Sequence, residues 1–182
     1  MKWIKDREFI RGDIPMTKFN IRALTIAYLS IEKGDRFLDI GAGTGSISIE
    51  AAIQGAETWA IERKKEGVDL VKENSKKFNV SIHTIEGQAP DDLPDIKINK
   101  CFIGGSCGKL KEIFQYLERN LESKGIICAN FITLKNLNEF LSLLEEYEYR
   151  HIEVELAQSA YMDKIGLMKG ENPIFIVKGV KK

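Results

Sequence analysis

Apolar and polar positions change their period several times along the chain. Short, nearly continuous apolar runs occupy 36–40, 57–61, 82–85, 100–103 and 126–133, and each reads as a buried strand. Between them apolar residues recur at helical spacing, predicting helices over 46–54, 65–79, 109–120 and 137–147. Val68, Leu70, Val71 and Phe78 mark the inner face of one, and Leu110, Ile113, Phe114, Leu117 and Leu121 that of the next. An earlier helix is predicted over 18–29, with Thr17 as N-cap and Ile21, Leu24, Ala27 and Tyr28 facing inward. Pro15 bars helix before it, and Gly55 ends the helix that precedes it. The runs at 152–157 and 173–180 read as a closing antiparallel pair, joined by an insert over 158–172 that is long for a hairpin. Alternation of strand and helix predicts an α/β fold: a doubly wound, mostly parallel sheet with an antiparallel C-terminal pair.

Chemistry concentrates where these strands end. Residues 37 to 50 read Phe-Leu-Asp-Ile-Gly-Ala-Gly-Thr-Gly-Ser-Ile-Ser-Ile-Glu, a strand, a tight turn with Gly41, Gly43 and Gly45, and a helix start. Glycines there permit a sharp turn and close approach of a ligand, and the helix end offers free N–H groups. Glu62 ends the next strand about 20 residues on, where a nucleotide-binding βαβ unit places its ribose-binding acid. Dinucleotide enzymes use G-x-G-x-x-G, whereas this turn is G-x-G-x-G with Asp39 two residues before it. A bare structural turn is the third option. Two further turns fall at strand ends: Glu86-Gly87-Gln88-Ala89-Pro90, and Gly104-Gly105-Ser106-Cys107-Gly108 opposite the first loop. Asn130 sits inside an apolar strand and needs a partner, either across the cleft or on the backbone.

Composition narrows the classes. The 182 residues suit one domain, with the segment over about 1–30 completing its cleft. Lys plus Arg and Asp plus Glu are 27 each, so no overall field points to nucleic acid or an anionic membrane. No apolar run nears the roughly 20 residues of a membrane span, and the charged start, Met1 to Arg7, is unlike a signal peptide. Cys101, Cys107 and Cys128 lack zinc-site spacing and read as reduced thiols of a cytoplasmic protein, and no metal site is expected. Cys101 and Cys128 lie in apolar runs as small hydrophobes, while Cys107 stands beside the glycine turn. His83 and His151 lie in or beside strands, and neither presents itself as a general base.

The stretch Asp-Ile-Gly-Ala-Gly-Thr-Gly resembles motif I of class I S-adenosylmethionine-dependent methyltransferases. The Asn/Asp-Pro-Pro-Tyr/Phe sequence of amino-methylating nucleic-acid enzymes is absent. Over nearly its full length the chain resembles the small decarboxylating cobalt-precorrin C-15 methyltransferases of cobalamin biosynthesis. The matching stretches are Ile14-Pro15-Met16-Thr17-Lys18 leading into Ile21-Arg22-Ala23-Leu24, the glycine loop, Glu86 to Pro90, Gly104-Gly105-Ser106, and Asn172-Pro173. The resemblance implies S-adenosylmethionine as cofactor, held by Thr17, Asp39, Gly41, Ala42, Gly43, Thr44, Gly45, Glu62, Gln88 and Ala89. It implies methylation at C-15 of a cobalt-precorrin with loss of carbon dioxide from the C-12 acetate, a homotetramer, and a C-5 methyltransferase as pathway partner. Substrate contacts would fall on Lys18, Arg22, Gly104, Gly105, Ser106 and Asn130. A many-carboxylate substrate calls for cations, and Lys18, Arg22, Lys109 and Lys164 are candidates, with a plain surface charge as the alternative for each. No catalytic acid or base is identified. Glu62 stands where the family commonly has Asp, and Cys107 where Gly is common. A methyltransferase of RNA or protein, and a non-enzymatic module on the same fold, are the competing classes.

Overall fold

The computed structural model describes residues 3–182. Met1 and Lys2, part of the start read as unlike a signal peptide and of the single-domain assignment, lie outside the described residues. Five helices and nine strands alternate: α1 (Phe19–Leu29), β1 (Arg36–Ile40), α2 (Ser46–Ile53), β2 (Glu57–Glu62), α3 (Lys65–Phe78), β3 (His83–Glu86), β4 (Ile98–Ile103), α4 (Leu110–Asn120), β5 (Leu121–Phe131), α5 (Leu134–Glu146), β6 (Arg150–Ala157), β7 (Ala160–Met162), β8 (Met168–Gly170) and β9 (Ile174–Val180). Seven strands form one sheet in the order β3-β2-β1-β4-β5-β9-β6. The first five are parallel; β9 runs antiparallel between β5 and β6. The expected doubly wound architecture with an antiparallel closing pair is therefore present.

Strand alternation sorts the core onto two faces. Leu38 and Ile40 of β1 point with Ile98, Cys101 and Ile103 toward α4 and α5, around Phe114 and Phe140. Phe37 points the other way with Phe102 and Cys128, toward Ile21, Ile26 and Leu29 of α1 and Ile47 of α2. Cys101 and Cys128 are buried in these two layers as expected.

Local expectations are corrected at α1, at β5 and in the insert. Helix α1 begins at Phe19 with Lys18 as a cap that makes no side-chain bond, so Thr17 does not cap it. Its inner face is Ile21, Arg22, Thr25, Ile26 and Leu29, with Leu24 and Ala27 exposed. Hydrophobicity alone turned the helix wrongly, because two polar residues on the true inner face are satisfied by tertiary partners. Strand β5 starts at Leu121 rather than 126, and a register shift against β4 absorbs the early residues. The insert over 158–172 is not a bare loop: β7 and β8 pair within it as a small antiparallel hairpin.

Arg22 is wholly buried and holds the N-terminal segment against the sheet. Its Nε donates to Glu50 Oε1 at 3.4 Å, Nη1 to Asp6 Oδ1 at 3.1 Å and to the Thr17 carbonyl at 2.8 Å, and Nη2 to the Ile4 carbonyl at 2.6 Å. Ile4 N–H returns to Glu50 Oε1 at 3.1 Å. Asn74 of α3 grips the same segment at both the N–H and the C=O of Ile10. Arg22 thus offers no charge to a substrate, which corrects its reading as a cleft cation. Removing one member of a buried charge network leaves the rest uncompensated. Arg22→Met should lower unfolding free energy by about 3 kcal/mol in urea titrations, and Glu50→Gln added to it should restore part of the loss.

Candidate functional site

Parallel strands bring their carboxyl ends to one edge of the sheet, where open α/β folds bind ligands. At that edge β1 gives way to Gly41, β2 ends on Glu62, β3 leads to Gly87, and β4 leads to Gly104. The glycine turns after β1 and β4 pack directly on each other. Gly104 N–H donates to the Ile40 carbonyl at 2.8 Å, and a Cβ on Gly41 would lie 2.9 Å from Gly105 N. The close approach at Gly41 is thus first one of backbone to backbone. The second turn is a neighbour of the first rather than a separate floor facing it.

Two cavities flank this contact. One, of about 280 Å³, is lined by Ile14, Ile40, Ile61, Glu62, Gln88 and Ala89, with Gly41, Gly43, Gly104, Gly105, Ser106 and Cys107 at its border. The other, about 220 Å³, is lined by Met16, Thr17, Asp39, Thr44, Ser46 and Phe102, with Gly41, Ala42, Gly43 and Gly104 shared or adjacent. Ile14, Pro15, Met16 and Thr17 close both from the side, which is what the Arg22 network holds in place.

Glu62 is nearly buried. Its Oε2 accepts Gly43 N–H at 3.1 Å and its Oε1 accepts Lys64 N–H at 2.8 Å. Both oxygens keep lone pairs for further donors. Gly67, in the first turn of α3, allows this: a Cβ there would lie 2.6 Å from Glu62 Cγ. The sequence reading passed over Gly67, although a glycine inside a predicted helix, costing about 1 kcal/mol against Ala, was a signal of close packing.

Asp39 is buried on the α2 side of the sheet. Gly45 stands at the N-cap of α2 and has no side chain to serve it. Asp39 fills that place from β1, accepting from Ser48 Oγ through its Oδ2. Its Oδ1 has no partner, and neither has the buried Thr44 hydroxyl. Burial pushes the Asp39 carboxyl up to about 7; Ser48 pulls it back, and Glu62 adds a like charge. An orphaned buried acceptor bordering a cavity fits a cationic group of a ligand.

The other expected residues fall as follows. Gln88 borders the larger cavity, and its backbone N–H donates to Asp92 Oδ2 at 2.8 Å. Asn130 pairs with neither cleft nor backbone: its Nδ2 donates to Thr25 Oγ1 of α1 at 3.0 Å, which corrects its reading as a substrate contact. Lys18 pairs with Glu171 at 3.3 Å beside an open groove of about 740 Å³ between α1 and the hairpin. Lys109 pairs with Asp91. Lys164 is exposed on the hairpin turn.

The strand order and the glycine turn with its two flanking cavities define a class I methyltransferase fold. A SAM-dependent O-methyltransferase from Thermotoga maritima shares that fold, with a TM-score of 0.76 at 16% identity, over 94% of this chain and 67% of the other. The chain belongs to the precorrin methyltransferase domain family, which it matches over residues 8–181. A relative in Sulfurisphaera tokodaii, named probable cobalt-precorrin-6B C(15)-methyltransferase (decarboxylating), is 40% identical over 98% of this chain and 97% of its own length. The crystal structure of a protein from Geobacter metallireducens named precorrin-6y C5,15-methyltransferase superposes with a TM-score of 0.90 at 34% identity, covering 99% of this chain and 97% of the other. Among the described residues no helix is long and apolar enough to cross a membrane.

The raised Asp39 carboxyl makes a pH prediction. From about pH 4 to pH 7 the folded chain holds this proton more firmly than the unfolded chain, so the associated stability is present at low pH and lost as pH rises through about 7. Asp39→Asn should raise the thermal midpoint of the ligand-free protein at pH 8 by roughly several degrees, by less at pH 5, and not at all at pH 3, below the unfolded value, read by differential scanning calorimetry.

Proposed function

We infer that this chain methylates C-15 of a cobalt-precorrin from S-adenosylmethionine and releases carbon dioxide from the C-12 acetate, a step of cobalamin biosynthesis. The family match over nearly the whole chain carries the reading, since it includes the segment that leads into α1 as a strap over the cavities, both glycine turns and the insert. The residues present fit the cofactor. Asp39 Oδ1 is a free buried acceptor for an ammonium, and Glu62 retains two oxygens for a ribose diol. Ile14, Ile40, Ile61 and Ala89 give the larger cavity apolar walls for an adenine. Gly41 and Gly43 border both cavities and put no side chain between them.

The cofactor supplies an electrophilic methyl on a sulfonium. The protein's work is to hold it and the macrocycle in line, and orientation of that kind can provide most of the acceleration. Lys18, Lys109 and Lys164 are the cations proposed for the substrate's carboxylates, Lys18 by exchanging Glu171 for one of them. Gly104, Gly105 and Ser106 would face the macrocycle. In the decarboxylation the C–C bonding pair passes into the conjugated ring as carbon dioxide leaves, and the methylene left on C-12 then takes up one proton from solvent as the pair returns, becoming a methyl group.

The assembly is proposed from the far edge of the sheet. Ile152, Val154 and Leu156 alternate on one face of edge strand β6 and are 41%, 49% and 57% exposed. Met162, Ile165 and Met168 of the hairpin are exposed beside them in sequence. An apolar edge strand left open invites pairing with another chain. We read it as the contact between copies, in the homotetramer that the family resemblance implies. The C5,15 name of the Geobacter protein supports a C-5 methyltransferase as pathway partner. Three free cysteines are in keeping with the cytoplasm.

Calorimetric titration with S-adenosylhomocysteine should give binding, and incubation with a late cobalt-precorrin a product heavier by one methyl and lighter by one carbon dioxide in mass analysis. Binding without that product would overturn the substrate and direct assays to RNA and protein. Glu62→Ala should weaken S-adenosylhomocysteine on the order of a hundredfold, as the loss of two charge-assisted hydrogen bonds requires. Val154→Lys with Leu156→Lys should yield 20.6 kDa monomers by light scattering, where the unmodified protein is oligomeric.

A further inference from the structure

We propose that Ser48 is a positioning residue for cofactor binding: its hydroxyl holds one oxygen of Asp39 at the start of α2, so that the other is left free for the ammonium of the cofactor's methionine end. The proposal rests on the reading of the two cavities as one S-adenosylmethionine site.

The geometry is built rather than incidental. Asp39 and Phe37 share the face of β1 that looks toward α2, and Ser48 lies in the first turn of that helix. Ser48 is fully buried, so its hydroxyl has no water to serve. Its hydroxyl donates to Asp39 Oδ2. With Oδ2 committed to the helix, Oδ1 is left without a partner at the 220 Å³ cavity that Asp39 borders. A carboxylate fixed by one oxygen presents the other at a defined angle, and the partly positive helix start favours its charge.

No other group competes for this role. In register beside Asp39 stand Ala60 of β2 and Phe102 of β4, both uncharged. Glu62 faces it as a like charge, and Cys101 of β4 is buried with its thiol pushed far up and so neutral. The N-terminal segment contributes Pro15, Met16 and Thr17 to the cavity, none of them ionisable. Glu50 and Arg22 pair with each other, and neither is among the ion partners of Asp39. Burial already holds the Asp39 carboxyl at about 7, so the strength of the Ser48 bond decides whether it is charged at neutral pH. A cation entering the cavity pulls that value down, and affinity therefore falls as pH drops through about 7.

The test compares two ligands by calorimetry between pH 6 and pH 8.5. S-adenosylhomocysteine carries the amino acid end; 5′-methylthioadenosine has the same adenosine and thioether without it. In the unmodified protein the preference for S-adenosylhomocysteine should fall on the order of tenfold from pH 8 to pH 6. Ser48→Ala should weaken S-adenosylhomocysteine about tenfold at pH 7, narrowing toward pH 8.5, while methylthioadenosine stays within about twofold. A pH-independent preference in the unmodified protein, or an equal loss of both ligands in Ser48→Ala, overturns the proposal. The first of these decides the matter even if the variant does not fold. Methylthioadenosine binding without S-adenosylhomocysteine binding would also overturn it. Binding of neither ligand would instead remove the cofactor site itself.

Discussion

The contact between the turns that end β1 and β4 constrains the rest of the molecule. With Gly41 packed against the backbone of Gly105, and Gly104 against the Gly41 carbonyl, neither Gly41 nor Gly104 has room for a side chain. The strands must therefore end there, and the chain must leave in opposite directions, to α2 on one face and α4 on the other. That divergence opens a cavity on each side of Gly41 and Gly43 and gives both a common backbone wall. The site follows from how two strands are made to stop.

The remaining walls come from a segment with little secondary structure of its own. Residues preceding α1 close both cavities, and they are fixed by Arg22 and Asn74 from below. A buried guanidinium is costly unless every donor is used, and here its bonds reach three backbone or carboxylate partners on the strap and one on α2. The outcome is a fixed wall made from coil. The same economy of partners governs Asp39, whose burial is compensated on one oxygen by Ser48 and left open on the other. Stability and function oppose each other at that atom.

The two halves of the site differ in how they are built. Around Glu62 the carboxylate is braced by backbone N–H groups of nearby turns, and Gly67 lets α3 come close enough to support it. Around Asp39 the bracing comes from a side chain on a helix, across the face of the sheet. The first arrangement rests on backbone donors, whereas the second depends on a single proton. At the far edge of the sheet β6 and the hairpin expose an apolar surface.

The sequence alone determined the strand and helix alternation, the direction of the sheet, the glycine turn, Asp39 and Glu62. These are local signals, because period, turn residues and the spacing from Gly41 to Glu62 are all carried by neighbouring positions. It also carried the family, through stretches spread over the whole chain. The inner face of α1 was not legible, since Arg22 and Thr25 become interior only through Asp6, Glu50 and Asn130 far along the chain. Ser48 was silent for the same reason, an ordinary helix residue until the sheet brings Asp39 against it, while Gly67 carried a signal only in being a glycine inside a helix. Lys18 and Arg22, four positions apart, were equal as cations in the sequence. Only the tertiary structure separated them, burying one beneath the strap that precedes α1 and leaving the other beside the open groove, because burial of a charge is decided by partners that no local pattern records.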